Sequence, residues 1–552
     1  MLVLATAPTG TATRRFYDDD PLARDPDTQD ASRVQAWDID LFYDLALNLF
    51  ARPGDSAPDV RARNVNTIDE LPDSSWFTNR ILARAVPIEE AARGPLTGTG
   101  PAAGKWTVSR PKAAGFAPGF TMQDAAGETW FVSFDAKGMP EAATGAILVA
   151  NKIFWTLGYW QAENYLIAVR ADQLAIAPTA TITPPSGKRR AMKPSDLQDV
   201  LQRAHQSADG SYRAVAARAL PGRTLGGFRY HGTRPDDPND IVPHEHRREL
   251  RALKVFGAWT NLVDMKAGNT LDTLVTESGR GVVRHYLQDV GSTFGTGANG
   301  PREYDEGWEY VFEGAQAWKR LVSLGFYLQP WQTVDYVNSP AIGRFEGAAF
   351  YPPEWKPRVP TAAVLRARRD DTFWAARRVA AFSNEMIRAI ASTGHYTAPD
   401  GAGHLAEVLI QRRNKIASAY LTPINPLVNF TLGPEGLAFE NAAVAAGVAP
   451  APTGGYLVRW SRFDNTTGDA TEIAPPSVVA SAPVPAPAGL PGEAGSYLKA
   501  QVSAVQPQYT AWTRPVDVYF RRTPAGWKLV GLTRQPDGIV PADPAPRKGT
   551  GN

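Results

Sequence analysis

Two short stretches of the chain combine acidic, amide and lysine side chains: "NLVDMKAGNTLD" and, after a short gap, "QDVGSTFG". The first contains Asp264, Lys266 and Asn269, and the second contains Asp289. Phosphoryl transfer needs oxygen ligands for Mg²⁺, a carboxylate near the attacking hydroxyl and positive charge on the phosphates. In this pattern Asp264 would orient the hydroxyl and Lys266 would offset phosphate charge. Asn269 and Asp289 would bind the metal.

Such residues act together only if the surrounding elements bring them to one place. The sequence predicts a helix over 243–264, with an apolar stripe at Leu250, Leu253, Phe256, Trp259 and Leu262 that ends at Asp264. "TLDTLV" and "VVRHYLQD" predict a hairpin closed by "ESGR". This hairpin would return the chain from Asn269 to Asp289, so these two residues would lie together at one end of a small sheet.

The region before this helix predicts a second group of elements. Residues 104–135 indicate three short strands, 140–160 a helix with Pro140 at its start, and 162–170 a further strand. Further on, 360–420 is mostly helical in its apolar pattern. The fold class that these elements predict is α+β, with a small β-rich part that carries one helix and a larger helical part.

At this point the two motifs resemble the catalytic loop and the Asp-Phe-Gly motif of the protein-kinase-like superfamily, here Asp264 to Asn269 and Asp289-Val290-Gly291. The divergent bacterial kinases of the HipA and CotH type are the most similar, because their loops also lack a His-Arg pair before the Asp. The resemblance covers roughly residues 104–425. It implies a two-lobed fold, ATP with Mg²⁺ or Mn²⁺ as cofactors, Asp264 and Lys266 as catalytic residues, and Asn269 and Asp289 as metal ligands.

The phosphate-binding part of the resemblance is the weaker part. "AAGFAPGF" occupies the position of the glycine-rich loop, although Gly115 and Gly119 do not fit its spacing. The strand position that holds a lysine in the family is Ser133 here. Lys137, in the following turn, is the sequence-based candidate to replace that lysine, and Lys105 from the first strand is the other.

The helix departs from the family as well. Its interior position for the partner glutamate holds Ile147, and Glu141 lies at the helix start instead. An active atypical kinase that transfers a phosphoryl group to a hydroxyl acceptor is the first hypothesis. The second is a catalytically impaired pseudokinase that acts by binding. A cell-envelope structural protein without nucleotide is the third.

Outside the resemblance, residues 1–103 form an N-terminal extension, partly helical, whose first 36 residues we expect to be loose. The lobes are predicted at 104–215 and 216–425. Residues 426–552 predict a β-rich unit in which the Pro/Ala stretch at 474–492 is a loop or spacer. The acidic stretch "REYDEGWEY" lies where an activation segment would run and is expected to be a solvated loop.

The overall composition limits the kinds of partner that the protein is expected to bind. The chain has 552 residues, a formal net charge of +2 and no Cys, which excludes disulfides and thiolate chemistry and gives no field that favours nucleic acid. No apolar run reaches the roughly 20 residues needed to span a bilayer. We therefore expect a nucleotide partner, no nucleic acid and no transmembrane helix. The acceptor and the oligomeric state stay open. The compartment is also open, cytoplasmic or exported if the N-terminus is a truncated signal peptide.

Overall fold

The computed structural model describes residues 14–534 except 26, 113–116, 185–186, 298–299, 325, 338, 340 and 399–400. The chain divides into two compact units. The larger unit comprises Pro26–Arg63 and Asp73–Ala419, and the smaller one comprises Met1–Asp25, Asn64–Pro72 and Tyr420–Asn552. Helices and sheets both contribute, so the mixed α+β class is confirmed.

The first half of the larger unit is built around a six-stranded sheet. Its elements are α1 (Leu41–Ala46) with a π-helix at Leu47–Ala51, α2 (Ile88–Arg93), β1 (Trp106–Pro111), β2 (Gly119–Gln123), β3 (Thr129–Phe134), α3 (Ala142–Leu157), β4 (Asn164–Val169), β5 (Leu174–Ile176), β6 (Thr181–Ile182), β7 (Arg190–Ala191), α4 (Pro194–Arg203) and β8 (Tyr212–Arg218). The strand order in the sheet is β4-β8-β3-β2-β1-β5, and only the β1–β5 pair is parallel.

Buried and more exposed side chains alternate along β3 of this sheet, as predicted from the sequence. In β3 the side chains of Trp130, Val132 and Phe134 are buried, whereas Phe131 is exposed and Ser133 is half-buried. The strands at 104–135, the helix α3 and the strand β4 are all confirmed.

The helix α3 begins where β3 ends because a buried carboxylate joins them. Asp135 Oδ1 accepts a hydrogen bond from the Thr144 amide (2.9 Å), and Oδ2 accepts from the Glu141 amide (2.9 Å) and the Thr144 hydroxyl (2.8 Å). Burial raises the pKa of Asp135. The helix ends at Gly158, whose φ of 132° is open to glycine. These contacts fix the orientation of α3 on the sheet.

One lysine of α3 is buried without a carboxylate partner among the described residues. Lys152 Nζ donates to the Leu148 carbonyl oxygen (3.2 Å), and burial lowers its pKa to about 8. The folded state therefore disfavours the charged amine. Below pH 8 both states are protonated and the full penalty applies. As the pH rises from 8 to about 10.5 the folded state loses its proton first, so stability rises in that window.

Lys152→Met should therefore raise the free energy of unfolding by about 1–3 kcal/mol at pH 7. The difference from wild type should shrink between pH 8 and 10.5. Urea unfolding of both proteins at several pH values measures this difference. A variant that is less stable than wild type at pH 7 would show that the Lys152 ammonium is stabilising.

The second half of the larger unit begins with a three-stranded sheet and the helices that lead into it. The elements are β9 (Arg223–Gly226), a 3₁₀ turn at His244–His246, α5 (Arg248–Arg251), α6 (Leu253–Thr260), a 3₁₀ turn at Ala267–Asn269, β10 (Leu271–Glu277) and β11 (Arg280–Tyr286). The sheet order is β11-β10-β9, and β10 and β11 pair from Leu271 with Tyr286 to Glu277 with Arg280. The predicted hairpin is confirmed.

The single helix predicted at 243–264 is wrong in its continuity and its end. Its apolar stripe is buried as expected, but the helix is broken between α5 and α6 and stops at Thr260. Asn261 ends it in the left-handed conformation (φ 55°), and the Leu262 amide bonds back to the Gly257 carbonyl oxygen (2.9 Å). An asparagine tolerates this conformation better than most residues.

The rest of the larger unit is mainly helical, as predicted for 360–420. It contains β12 (Thr296–Gly297), β13 (Gly300–Pro301), α7 (Gly314–Val322), 3₁₀ turns at Pro330–Thr333 and Pro352–Glu354, α8 (Ala362–Leu365), α9 (Arg369–Ala380), α10 (Asn384–Ser392) and α11 (Gly401–Leu421), whose last two residues belong to the smaller unit. In the part of the chain that the structure describes, no helix is long and apolar enough to span a bilayer.

The smaller unit is β-rich. It contains β14 (Leu427–Gly433), β15 (Gly436–Asn441), α12 (Ala442–Ala445), β16 (Tyr456–Phe463), β17 (Ala470–Val479), β18 (Tyr497–Ala504), a 3₁₀ turn at Thr510–Thr513, β19 (Val516–Thr523) and β20 (Gly526–Thr533). β14 and β15 form a hairpin, and the other strands form an antiparallel sheet in the order β17-β16-β18-β19-β20. The strands predicted near 456, 497 and 515–532 are confirmed.

Two expectations for loose segments are wrong in part, although residues 480–492 do lie outside the strands, as expected for a loop. The Pro/Ala stretch begins inside β17, whose Pro475 and Pro476 are tolerated because β17 is an edge strand with shifted register there. Of the first 36 residues, 1–13 lie outside the described residues and most of the others are exposed, but a few apolar side chains are buried. Phe16 lies in the core of the smaller unit with Phe463 and Tyr519, and other apolar residues of this stretch lie in the larger unit.

Candidate functional site

The two motifs lie side by side in the larger unit. The Asp289 amide donates to the Asn269 carbonyl oxygen (3.0 Å), the Val263 amide to the Ser292 carbonyl oxygen (3.4 Å), and the Phe294 amide to the Thr260 carbonyl oxygen (2.8 Å). The β10–β11 hairpin connects the two segments, since it begins just after Asn269 and ends just before Asp289. The structure therefore places Asn269 and Asp289 next to each other.

Asp264 has two cations beside it. Its side chain is largely buried, and its Oδ2 accepts a hydrogen bond from Lys266 Nζ (2.9 Å) and lies 3.9 Å from Nη2 of Arg302. Among the described residues nothing donates to Oδ1. One oxygen of the carboxylate is thus held by cations, and the other is open to a hydrogen-bond donor.

Sequence reasoning missed Arg302 and treated its neighbourhood as a solvated loop. Glu306 and Glu309 of that stretch are buried, so this expectation is wrong. Glu306 contacts Arg302 (3.3 Å) and also Arg358, while burial raises its pKa. Arg302 Nη2 further donates to the Ser292 hydroxyl (2.5 Å). Local sequence does not distinguish these buried carboxylates from a solvated acidic run, because the partners Ser292 and Arg358 lie outside the stretch.

The helix α3 reaches the second motif. A Cβ on Gly291 would lie 2.8 Å from Cγ1 of Ile147 and 3.3 Å from Oδ1 of Asp289. Asp289 Oδ1 accepts from the Gly291 amide (3.0 Å). A side chain at Gly291 would collide with the helix, so glycine lets this turn approach α3 closely. The contact places the helix of the six-stranded sheet against the Asp289 turn.

Ser133 is not left without a lysine. Lys112, just after β1, donates from Nζ to the Ser133 hydroxyl (3.4 Å). Lys105 is used elsewhere, because its Nζ donates to the Asp172 carbonyl oxygen (2.8 Å). Lys137 is exposed, and its amide donates to the Arg203 carbonyl oxygen (2.8 Å).

Glu141 does not pair with Lys137 in the described structure. Its carboxylate accepts from the Thr397 amide (2.9 Å). Gly119 has a packing reason to be glycine, since a Cβ there would lie 2.2 Å from the Val132 carbonyl oxygen of the neighbouring strand. Gly115 lies outside the described residues. Lys112, which sequence reasoning did not single out, is therefore the lysine in contact with Ser133.

Asn269 and Asp289 offer oxygens that suit a hard cation. Asn269 Nδ2 donates to the Asp264 carbonyl oxygen (2.7 Å), and this orients the amide and leaves Oδ1 without a donor among the described residues. Asp289 is exposed. Mg²⁺ is commonly held by one or two protein oxygens together with phosphates and waters. Across the described residues no three His, Cys, Asp or Glu side chains form a metal cluster, so any cation here would need such outside ligands.

A buried ion network fixes the start of the helices that lead to Asp264. Asp371 accepts from Arg248 Nε (3.0 Å) and Arg251 Nη1 (3.1 Å), and its Oδ2 also accepts from the Arg368 amide (3.0 Å). All three of these charged side chains, Asp371, Arg248 and Arg251, are almost fully buried. Helix α9 thereby holds α5, and α5 leads through α6 to the loop of Asp264.

Comparisons with known proteins add little information about this site. No protein-family model matches the chain, and no curated protein matches it. A solved structure described as the Golgi casein kinase with Mn/ADP bound overlaps with 60% of this chain and 75% of its own. The identity is 7% and the TM-score is 0.28, which is too low to support a conclusion about fold or function.

Proposed function

We propose that the larger unit is a divergent kinase-like phosphotransferase that uses ATP and Mg²⁺ to phosphorylate a hydroxyl acceptor. One observation carries the proposal, namely the hydrogen bond between Asp289 and Asn269 that sets the two motifs side by side. The element order supports it: three strands, a helix and further strands, followed by helices, a loop with Asp264, a hairpin and Asp289.

In this proposal the residues divide the work by position. Asn269 Oδ1 and the Asp289 carboxylate would hold the metal, which would neutralise phosphate charge and orient the transferred group when bound. Oδ1 of Asp264 accepts the proton of the attacking hydroxyl. The oxygen of the acceptor hydroxyl would then form a bond to the γ-phosphorus of ATP as the bond from that phosphorus to the leaving diphosphate oxygen breaks. Lys266 and Arg302 offset the charge that develops on the transferred phosphoryl group.

Two lysines are candidates for binding the other phosphates at this site. Lys112 has the stronger claim because it contacts Ser133, which stands where the family has its lysine. Lys137, the sequence-based candidate, is four positions past Ser133 and is exposed. Either residue would bring an ammonium group to the end of β3.

A second candidate function is nucleotide binding without transfer. Ser133 and Ile147 replace the Lys–Glu ion pair that kinases need in place for catalysis, and Ile147 contacts the Asp289 turn as an apolar side chain. A pseudokinase would keep the metal site, but it would no longer transfer the phosphoryl group at a useful rate.

Release of the γ-phosphate from ATP tests the proposal, because water can replace an acceptor that is not identified. The full chain is incubated with γ-labelled ATP and Mg²⁺, and binding is measured in parallel by calorimetry. The proposal expects slow, metal-dependent release or self-phosphorylation together with binding. Binding without any turnover would favour the pseudokinase, and no binding at millimolar ATP would contradict both.

A further inference from the structure

Glu306 is a buried carboxylate that the proposed reaction leaves without a role. It is 6% exposed, and two arginines contact it. Its Oε2 lies 3.3 Å from Nε of Arg302, and its Oε1 accepts a hydrogen bond from Nη1 of Arg358. Burial raises the pKa of Glu306, although the positive charges of the two arginines oppose this. A carboxylate enclosed by two guanidinium groups restrains both of them, because charge-assisted contacts are strong where water is excluded.

The first of these arginines reaches the side chain of Asp264. Arg302 Nη2 lies 3.9 Å from Oδ2 of Asp264 and donates to the Ser292 hydroxyl (2.5 Å). The Arg302 amide donates to the Gly295 carbonyl oxygen (2.8 Å), so its backbone is fixed as well. Among the described residues, Asp264 and Glu306 are the two carboxylates that form ion pairs with this guanidinium. Removing the Glu306 charge would therefore take away one of the two charge contacts that orient the guanidinium.

The second arginine reaches the backbone of the same loop. The Arg358 amide donates to the carbonyl oxygen of Val263, the residue directly before Asp264 (2.9 Å). Glu306 thus has two connections to the loop. One is made by the Arg302 side chain to the Asp264 carboxylate, and the other is made by Arg358 to the backbone. Such a double connection fixes a carboxylate relative to the cation beside it, which is the geometry that electrostatic assistance to a reaction requires.

We propose that Glu306 is a positioning residue that holds the Arg302 guanidinium against Asp264. Glu306 itself would touch neither nucleotide nor acceptor, since its side chain is 3% exposed. It acts through Arg302, whose side chain is 22% exposed and could otherwise turn to solvent. An arginine that turned away would no longer offset charge on the transferred phosphoryl group. The catalytic part of this inference rests on the proposed function, whereas the restraint on Arg302 belongs to the folded chain and can be measured without any transfer.

Arginine labelling tests the restraint without ATP. The full chain is treated with phenylglyoxal, which modifies accessible guanidinium groups, and the modified peptides are quantified over time by mass spectrometry. The variant is Glu306→Gln, which keeps the size of the side chain and removes its charge. Glu303→Gln is the matched control, because Glu303 is an exposed carboxylate of the same segment. Arg33, an exposed arginine of the larger unit, is the internal reference, and thermal melting of each protein verifies folding.

Arg302 should be modified about five-fold faster in Glu306→Gln than in wild type, since one of its two ion pairs is lost. The Arg302 rate in the control and the Arg33 rate in all three proteins should not change. An Arg302 rate in Glu306→Gln equal to that of wild type would overturn the proposal. If Glu306→Gln does not fold, Glu306→Asp replaces it, because aspartate keeps the charge on a shorter side chain. It should give a smaller increase in the same direction, and no increase would again overturn the proposal.

A double-mutant cycle tests whether Glu306 acts through Arg302 in the reaction. Release of γ-phosphate from ATP with Mg²⁺ is measured for wild type, Glu306→Gln, Arg302→Ala and the double variant. Each single variant should lose about ten-fold in rate, and the double variant should match Arg302→Ala within about two-fold, because residues that act as a unit are not additive. Losses that multiply to about a hundred-fold would overturn the proposal. No transfer by wild type would contradict the proposed function, and the labelling result would then decide the role of Glu306.

Discussion

Replacing Asp371 with alanine should lower the free energy of unfolding by about 3–5 kcal/mol, since it leaves two buried guanidinium groups without their shared carboxylate. Arg248 and Arg251 are at most 1% exposed and donate to different oxygens of Asp371. Neither arginine can turn to water without breaking the packing between α5 and α9. The loss should therefore be far larger than for any surface pair.

Urea unfolding followed by fluorescence measures this effect. Asp371→Asn keeps the shape and part of the hydrogen bonding, so it should fall between alanine and wild type. The control is Glu128→Ala, which removes an exposed pair with Arg218 and should change stability by less than about 1 kcal/mol. An Asp371→Ala protein within 1 kcal/mol of wild type would mean that the remaining contacts, such as that of Arg248 with Asp370 (3.5 Å), hold the arginines without Asp371.

Asp264→Asn should reduce phosphoryl transfer by about 10²- to 10⁴-fold, the range expected when a positioned proton acceptor is removed. Asparagine keeps the size and the contact with Lys266, but its oxygen is a poor proton acceptor. ATP binding should change by less than about three-fold, because the metal ligands in the proposal are Asn269 and Asp289. The measurement pairs the rate of γ-phosphate release with the ATP dissociation constant.

Glu303→Gln is the matched control for this variant, since Glu303 is an exposed carboxylate of the segment that also carries Arg302. It should leave both quantities unchanged. A transfer rate within three-fold of wild type in Asp264→Asn would remove Asp264 from the mechanism. A loss of ATP binding as large as the loss of rate would make Asp264 a binding residue.

Much of the architecture follows from local pattern. The strands β1 to β3 and the helix α3 were predictable because alternation and helical spacing are decided by burial on one face. The hairpin between Asn269 and Asp289 was predictable from two strand-like runs and a turn. This is why the proximity of the two motifs could be expected from the sequence.

The predictions that were wrong concern residues whose surroundings are formed by segments distant in the sequence. Phe16 looked loose because its burial is supplied by Phe463 and Tyr519, far along the chain. The helix is broken between α5 and α6, directly after the buried Arg248 and Arg251. A sequence pattern would assign these two arginines to an exposed polar face. Arg302 and Glu306 could not be assigned because their roles depend on Arg358 and Ser292, which the fold brings to them.

The phosphate side of the site shows the same limit. Ser133 was identified as a departure from the family, but the lysine that contacts it, Lys112, comes from the neighbouring strand pair rather than from the turn that follows. Local sequence could offer only nearby lysines. Pairing of β1, β2 and β3 determines which one arrives.

The central claim is that Asn269 and Asp289 form a metal and nucleotide site, and thermal melting with ATP tests it most directly. Wild type and Asp289→Ala are each melted with ATP alone, with Mg²⁺ alone and with both. Ligand bound to the folded state raises the melting temperature by mass action. We expect wild type to shift only when ATP and metal are both present, and Asp289→Ala not to shift. No shift of wild type at millimolar ATP with Mg²⁺ or Mn²⁺, or an equal shift in both proteins, would contradict the claim.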